Sequence, residues 1–217
     1  MAGNREIEFK AIRVNPQQFK DALFVLNELA RLGHAQDMGA VNQEDFYLDH
    51  PAFKDTDYAL YSKGAISKSL RIRRENSLSG SEQNHSLCVK VARKGSVESD
   101  HERREYELQI KDPALATKVF ELLGFSVEKK LNKIRTSFRY LQYEIVLDQV
   151  VGLKKSATSD FYEEEFFSYI VEVELKEGAD QVSDIPACIE AMKELVETVL
   201  KIKDYQQDQS GMEKYMK

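Results

Sequence analysis

Charged residues two positions apart, with apolar residues between them, recur along this chain of 217 residues. The copies are Glu6-Ile-Glu8-Phe-Lys10, Arg71-Ile-Arg73, Glu105-Tyr-Glu107, Lys133-Ile-Arg135 and Glu172-Val-Glu174. Residues i and i+2 of an extended strand point to the same side of a sheet. Each copy therefore predicts a β-strand with one charged face and one apolar face, and a sheet of such strands collects acids and bases on a single surface.

Helices are predicted between these strands. Asn15-Pro16 predicts the start of a first helix, which ends at Gly33 and has an apolar stripe of Phe19, Leu23, Leu26, Leu29 and Ala30. Asp112-Pro113 predicts a second helix that ends at Gly124. A third, amphipathic helix is expected over roughly residues 184–203.

The remaining segments do not divide the chain. Residues 152–168 show no clear alternation, so we expect an irregular segment there, with Asp160–Phe167 as a surface loop or contact patch rather than a metal site. Ser77–Asn84 is rich in Ser and Gly and is predicted to be a loop. About eight strands with intervening helices and no long linker predict a single domain over residues 1–217, of the α+β class with a dominant antiparallel sheet.

Composition narrows the class of protein. Hydrophobic residues make up 42% and charged residues 31% of the chain, which is typical of a soluble globular protein. The net charge of -6 argues against a nucleic-acid binder with a broad basic surface, although a local basic patch can still bind a small polyanion. Two cysteines, no visible secretory leader and no apolar run of membrane-spanning length lead us to expect a cytoplasmic protein.

The charged faces have two interpretations. A half-exposed antiparallel sheet has a polar face, and solvated Glu, Lys and Arg are its ordinary occupants, which is enough to explain any one strand. Like charges two residues apart repel, however, and stability does not require them in strand after strand. A curled sheet would let opposite charges meet across its concave face or around a ligand, and this is the interpretation that we favour.

The residue types on the charged faces fit a metal-bound polyphosphate. Arg suits bidentate phosphate contacts and Lys a point-charge contact. Carboxylates without cysteine or well-spaced histidine select hard cations such as Mg²⁺ or Mn²⁺. The candidate cations are Lys10, Arg71, Arg73, Lys90, Lys133 and Arg135, and the acids are Glu6, Glu8, Glu105, Glu107, Glu144, Asp148, Glu172 and Glu174.

Glu6-Ile-Glu8-Phe-Lys10 resembles the E-x-E-x-K opening of the CYTH superfamily, also called triphosphate tunnel metalloenzymes. Further matches follow in order along the chain: Gln43-x-Asp45-x-Tyr47, Leu-Arg71-Ile-Arg73, Lys90, Arg104-Glu105-Tyr-Glu107, Lys133-Ile-Arg135, Glu144-x-x-x-Asp148 and Glu172-Val-Glu174. The resemblance implies a closed eight-stranded antiparallel β-barrel, or tunnel, with helices packed on the outside. Members include class IV adenylyl cyclases, thiamine triphosphatases and inorganic triphosphatases.

The resemblance also implies roles for the charged residues. Glu6, Glu8, Glu172 and Glu174 would bind Mg²⁺ or Mn²⁺, and Lys10, Arg71, Arg73, Lys90, Lys133 and Arg135 would bind phosphate oxygens. Glu105, Glu107 and Asp148 would be catalytic acids that position metal or water. The C-terminal helix would cap one mouth, and Tyr215 falls near a tyrosine of the family's tail. The long connection between Asp148 and Glu172 departs from the family pattern.

These features lead us to expect divalent-metal-dependent hydrolysis of a triphosphate, either inorganic tripolyphosphate, thiamine triphosphate or a nucleoside triphosphate. Two alternatives stay open. A class IV adenylyl cyclase would convert ATP to cyclic AMP and pyrophosphate, and a polyphosphate-binding module would not react at all. The expected partner is a triphosphate-containing small molecule, with no nucleic acid and no membrane, and a homodimer is left open.

Overall fold

The computed structural model describes residues 4–50, 70–80, 83–92, 102–156 and 161–207. Within these ranges the chain forms nine β-strands, three α-helices and one 3₁₀ turn. The strands are β1 Asn4–Ile12, β2 Gln36–Asp49, β3 Arg71–Ser77, β4 Gln83–Ala92, β5 Glu102–Gln109, β6 Ser126–Tyr140, β7 Tyr143–Lys155, β8 Tyr162–Leu175 and β9 Gln206–Gln207. The helices are α1 Pro16–Arg31, α2 Pro113–Leu122 and α3 Ile185–Thr198, and the 3₁₀ turn is Ala179–Gln181.

The strands form one antiparallel sheet in the order β5-β4-β3-β2-β6-β7-β8-β1-β9. Strand β5 also pairs with β1, where Asn4 to Ile7 lie opposite Glu105 to Glu102. This pairing covers four residue pairs, and the closed eight-stranded barrel stays a prediction. The prediction of an α+β protein with a dominant antiparallel sheet is confirmed.

The three helices begin as their sequences predict. Asn15 Oδ1 accepts a hydrogen bond from the Gln17 N–H at 2.9 Å, and Asp112 and Asp184 accept from backbone N–H groups in the same way. A proline follows each capping residue within two positions, where its missing N–H costs nothing. Gly33 and Gly124 follow the first two helices with positive φ angles, so both predicted ends are confirmed to within two residues. None of the helices in the described ranges is long and apolar enough to cross a membrane.

The apolar faces of the strands form the outer face of the sheet and are covered by helices. Helices α1 and α3 pack on β1, β7 and β8 through a buried cluster that includes Phe9, Leu26, Ile145, Val173 and Met192. Helix α2 packs on β2 and β3 through a smaller cluster built on Phe46, Leu48, Leu70 and Ile72. Burial of this apolar surface is the main stabilising contribution, and it fixes the opposite, charged faces of the same strands as the inner face.

The structure corrects two expectations about strands. Residues 152–168 are not irregular in their described part, because β7 runs to Lys155 and β8 begins at Tyr162, with Lys154 paired to Glu163. A register shift after Gly152 and the consecutive acids hide this alternation in the sequence. The apolar side of β5 was expected to be buried, but Tyr106 and Leu108 are exposed.

Other predicted features lie outside the described residues. These are Tyr215 and part of the Ser77–Asn84 loop. The side chains of Glu6 and Lys90 also lie outside the described part, although their backbones belong to β1 and β4.

Candidate functional site

The inner face of the sheet brings together charged side chains from strands far apart in sequence. Lys10 of β1 lies opposite Glu172 of β8, and Glu8 lies opposite Glu174. Arg135 of β6 lies opposite Asp148 of β7, and Arg73 of β3 lies opposite Asp45 of β2. The strand register therefore sets Lys10, Arg135 and Arg73 each opposite an acid, as proposed for a curled sheet, whereas Glu8 and Glu174 face each other as two carboxylates.

Asp45 is the centre of one part of this face. It is fully buried, and Arg73 Nε donates to its Oδ1 at 2.8 Å. Lys133 Nζ lies 3.4 Å from its Oδ2, and Arg71 Nε lies 3.7 Å from its Oδ1. Burial would raise the pKa of Asp45, but the charges of Arg73, Arg71 and Lys133 outweigh it and hold that pKa well below its ordinary value. Asp45 is therefore a permanent anion that holds three cations around it.

Arg135 is the centre of a second part. Its Nε and Nη2 donate to the two oxygens of Asp148 at 2.9 and 2.6 Å, and Nη2 also donates to Glu172 Oε2 at 3.0 Å. Burial would lower the pKa of Arg135, but Asp148 and Glu172 raise it well above the ordinary value. A bidentate pair of this kind is shaped for a planar or tetrahedral oxyanion, so Arg135 already presents the geometry that a phosphate group would use.

Lys10 connects the acids of β1 and β8. Its Nζ lies 2.8 Å from Glu8 Oε1 and 3.4 Å from Glu172 Oε1. One ammonium group thus bridges carboxylates from two strands. Near the end of the same strands, Lys176 bridges Glu174 at 2.8 Å and Glu144 at 3.1 Å.

The contacts join into a continuous network, because Lys133 lies 3.4 Å from Asp45 and 3.9 Å from Asp148. Arg71 extends it to β5 by donating to Glu105 at 3.3 Å. In the described side chains the network holds five cations, Lys10, Arg71, Arg73, Lys133 and Arg135, and five acids, Glu8, Asp45, Glu105, Asp148 and Glu172. We call this set of ten residues the inner ion network.

The predicted metal ligands fit a hard divalent cation by their chemistry. Glu8, Glu172 and Glu174 lie on the same face of two paired strands, and Lys10 shows that one positive charge can reach two of them. All their donor atoms are carboxylate oxygens, which Mg²⁺ and Mn²⁺ prefer. Each carboxylate is turned towards a lysine or arginine, and the described residues contain no group of three acids, histidines or cysteines already arranged around one point.

The remaining predicted residues lie at different depths. Glu105 belongs to the inner ion network, whereas Glu107 is exposed, with Cys88 Sγ 3.8 Å from its Oε1. Lys90 lies opposite Glu105 in the β4–β5 register, so its backbone position is consistent with the same face. Asp148 is fully buried and paired to Arg135 rather than open to a ligand.

Asp45 was not among the predicted site residues, although it occupies the centre of the network. The sequence contained a signal for it. Gln43, Asp45 and Tyr47 alternate in a strand, and an acid in such a row needs cations on neighbouring strands when it is buried. The identity of those strands is a matter of sheet order, which places β2 between β3 and β6.

The pKa of Lys133 predicts that binding of a polyanion at this site would depend on pH. Burial, helped by the charge of Arg135 and opposed by Asp45, Asp148 and Glu172, lowers the pKa of Lys133 to about 8. A bound polyanion favours the charged amine, so its affinity should fall as the pH rises above about 8, by about tenfold at pH 9.

Calorimetric titration of tripolyphosphate at pH 7 and pH 9, without added metal, measures this effect. Proton uptake should accompany binding at pH 9, and Lys133→Arg should abolish both the uptake and the loss of affinity, because arginine stays charged. An equal pH dependence in Lys133→Arg would assign the effect to another group.

Comparisons with known proteins agree with this fold. The sequence profile of the CYTH domain matches residues 4–187. No curated protein sequence matches the chain. Among solved structures, a conserved hypothetical protein from Pyrococcus furiosus is similar, with a TM-score of 0.57, 18% identity and 94% of each chain covered. A candidate adenylate cyclase from Vibrio parahaemolyticus has a TM-score of 0.55 and 16% identity, with 99% of this chain and 98% of that chain covered.

Proposed function

The chain belongs to the CYTH domain family, which supports an activity on triphosphates in general, and from this premise we propose that it is a divalent-metal-dependent triphosphatase. The observation that carries the proposal is the inner ion network, which places five buried or half-buried cations on one face of the sheet. Arginine and lysine side chains are the groups that bind phosphate oxygens, so a triphosphate is a ligand that such a row of cations could hold. The return pairing of β5 with β1 supports an interior closed by strands, a tunnel, as the place where it binds.

The balance of charge in the network supports the need for a metal. Its five cations already face five carboxylates, so an added triphosphate would leave an excess of negative charge in a poorly solvated interior. A divalent cation held by Glu8, Glu172 and Glu174, together with Glu6, would offset that excess. When bound, the metal supplies charge neutralisation and polarises phosphate oxygens.

The residues of this chain would then share the work of binding and orientation. Arg71, Arg73 and Lys133 would exchange their contacts with Asp45 for phosphate oxygens, and Lys10 and Arg135 would hold the other part of the phosphate chain. Glu105 and Glu107 would orient the attacking water. Asp148 would act through Arg135 by keeping its guanidinium in place, since both Asp148 oxygens accept from that group.

In the proposed reaction a water oxygen attacks the terminal phosphorus. The bond between that phosphorus and its bridging oxygen breaks, and the electron pair leaves with the bridging oxygen of the diphosphate product. The water loses one proton to a carboxylate or to solvent. Positioned cations stabilise the charge that develops on the leaving group, which is the main catalytic contribution in phosphoryl transfer.

Product analysis tests the proposal. The purified protein is given tripolyphosphate, thiamine triphosphate or ATP, each with Mg²⁺ or Mn²⁺, and the products are resolved by phosphorus NMR. Orthophosphate from any substrate supports the hydrolase and ranks the substrates. Cyclic AMP with pyrophosphate from ATP would replace the hydrolase by the cyclase, and binding without any product would leave a polyphosphate-binding module.

A matched pair of arginine variants tests which face of the sheet binds phosphate. Arg73 points into the inner ion network, whereas its neighbour Arg74 lies over the Phe46 ring, 4.6 Å from the ring centroid, on the opposite face. Arg73→Ala should weaken tripolyphosphate binding by about 1.5–3 kcal/mol, the loss of a charge-assisted contact. Arg74→Ala should leave the affinity unchanged, and the reverse result in calorimetry would place the site on the outer face.

The domain bounds, the location in the cell, the partner and the oligomeric state stay predictions. We propose a single domain over residues 1–217 that works in the cytoplasm on a triphosphate-containing small molecule. Size-exclusion chromatography with light scattering would decide between a monomer and the homodimer left open above.

A further inference from the structure

The inner face of the sheet is not charged along its whole length. Four side chains on that face form a separate buried cluster: Ile12, Leu131, Val150 and Ile170. Tyr47 and Phe166 pack against them from β2 and β8. All six come from five consecutive strands of the sheet, β2, β6, β7, β8 and β1. We call these six residues the apolar floor.

The apolar floor directly adjoins the inner ion network. On each of the five strands, one floor residue stands two positions from a charged residue of the same face. The pairs are Tyr47 and Asp45, Leu131 and Lys133, Val150 and Asp148, Ile170 and Glu172, and Ile12 and Lys10. Because residues two apart share a face, the floor and the charges are successive layers of one interior, with a boundary that crosses all five strands.

Along two of the strands, exposure to solvent increases away from the floor. Along β6, Leu131 is 1% exposed, and the side chains of Lys133, Arg135 and Arg139 are 6%, 17% and 43% exposed. Along β8, Ile170 is 1% exposed, and the side chains of Glu172 and Glu174 are 12% and 22% exposed. On the described strands that carry the floor, solvent therefore reaches the inner ion network from the end where Arg139 and Glu174 lie, and not through the floor.

Phe166 packs over the backbone of Gly152 at the edge of the floor. It lies opposite Gly152, and a Cβ atom at position 152 would lie 2.1 Å from its ring. The ring thus rests directly on the backbone of β7, in space that only a glycine leaves. The Tyr47 hydroxyl is the single polar group among the six floor side chains, so the floor offers an anion one hydrogen bond at most and no positive charge.

From this layering we propose that the interior is blind at the apolar floor and admits a triphosphate from one end. The inference rests on the proposed function and specifies its substrate class. A free terminal phosphate enters towards the floor, and any organic group attached to the other end of the chain stays at the mouth near Glu174 and Arg139. Substrates with one free end are therefore accepted, and polyphosphates substituted at both ends are excluded.

A ligand series on the unmodified protein tests this without catalysis. Calorimetry in the absence of metal compares tripolyphosphate, ATP, diadenosine triphosphate and diadenosine tetraphosphate. Diadenosine tetraphosphate has the same number of ionisable charges as ATP, so it separates blocked ends from lost charge. We expect tripolyphosphate and ATP to bind and both diadenosine compounds to bind about 100-fold more weakly or worse, the equivalent of losing one or two charged contacts.

Neighbouring phenylalanines provide a matched pair of variants. Phe166→Ala removes part of the floor, whereas Phe167→Ala changes an exposed ring that contacts Tyr169 on the other face of β8. Phe166→Ala should improve the binding of diadenosine tetraphosphate relative to ATP, and Phe167→Ala should not.

Each outcome of the ligand series supports or overturns the proposal that the interior is blind at the apolar floor. Diadenosine tetraphosphate that binds the unmodified protein as tightly as ATP would overturn the inference and leave the proposed function standing. Binding of tripolyphosphate but not of ATP would also overturn it, because neither end would then accept an organic group. Failure of tripolyphosphate itself to bind without metal would move the series to Mn²⁺, and failure there as well would overturn the proposed function and the inference together.

Discussion

Asp45→Asn should lower the free energy of unfolding of the ligand-free protein by about 3 kcal/mol or more, because it leaves buried cations without their counter-charge. Arg73, Arg71 and Lys133 all lie within 4 Å of that carboxylate. A bound triphosphate would supply the missing negative charge. The variant should therefore bind tripolyphosphate more tightly than the unmodified protein and recover most of its stability in the complex.

Urea unfolding with and without saturating tripolyphosphate measures both effects. Glu44→Gln is the control, since Glu44 is the next residue of β2 and its partly exposed side chain lies 3.9 Å from Arg74 on the outer face. That exposed pair should contribute less than about 1 kcal/mol. If Asp45→Asn is as stable as Glu44→Gln, or if it binds tripolyphosphate more weakly, Asp45 does not compete with phosphate for the cations.

Glu8→Gln should reduce metal-dependent turnover by about 100-fold or more, because it removes one carboxylate charge from the proposed metal ligands. Glu8 is nearly buried, lies opposite Glu174 and shares Lys10 with Glu172. The amide keeps the shape of the side chain, so the loss should arise from weaker metal binding. The concentration of Mn²⁺ that gives half of the maximal rate should therefore rise.

Initial rates over a range of Mn²⁺ concentrations test this prediction, with the thermal unfolding temperature as a check on folding. Glu163→Gln changes an acid of β8 that is exposed and lies opposite Lys154, and it should leave both values unaltered. An unchanged Mn²⁺ requirement in Glu8→Gln would remove Glu8 from the metal ligands.

The face of each charged residue could be predicted from the sequence, because alternation in a strand is a local property. Lys133 and Arg135 share a side whatever the rest of the chain does. Their partners could not be predicted, because the contact between Lys10 and Glu172 depends on which strands are neighbours and in which register. That information comes from the packing of the whole sheet and is not present in any short segment.

The apolar floor shows the same limit. Leu131 stands two residues before Lys133, so the sequence places an apolar side chain on the charged face of β6. In one strand this looks like an ordinary irregularity in the pattern. Leu131 is recognised as part of a buried layer only when the register places it beside Val150, Ile170 and Ile12 of the other strands. The strand after Gly152 was missed for a similar reason, since a register shift there breaks the alternation.

A crystal structure of the protein with tripolyphosphate and Mn²⁺, with anomalous scattering to locate the metal, tests the central claim most directly. We predict one triphosphate on the inner face, with its oxygens in contact with Arg71, Arg73, Lys133 and Arg135, and an anomalous peak beside Glu8 and Glu172. Phosphate bound on the outer face of the sheet, or a metal peak away from these carboxylates, would contradict the proposed site.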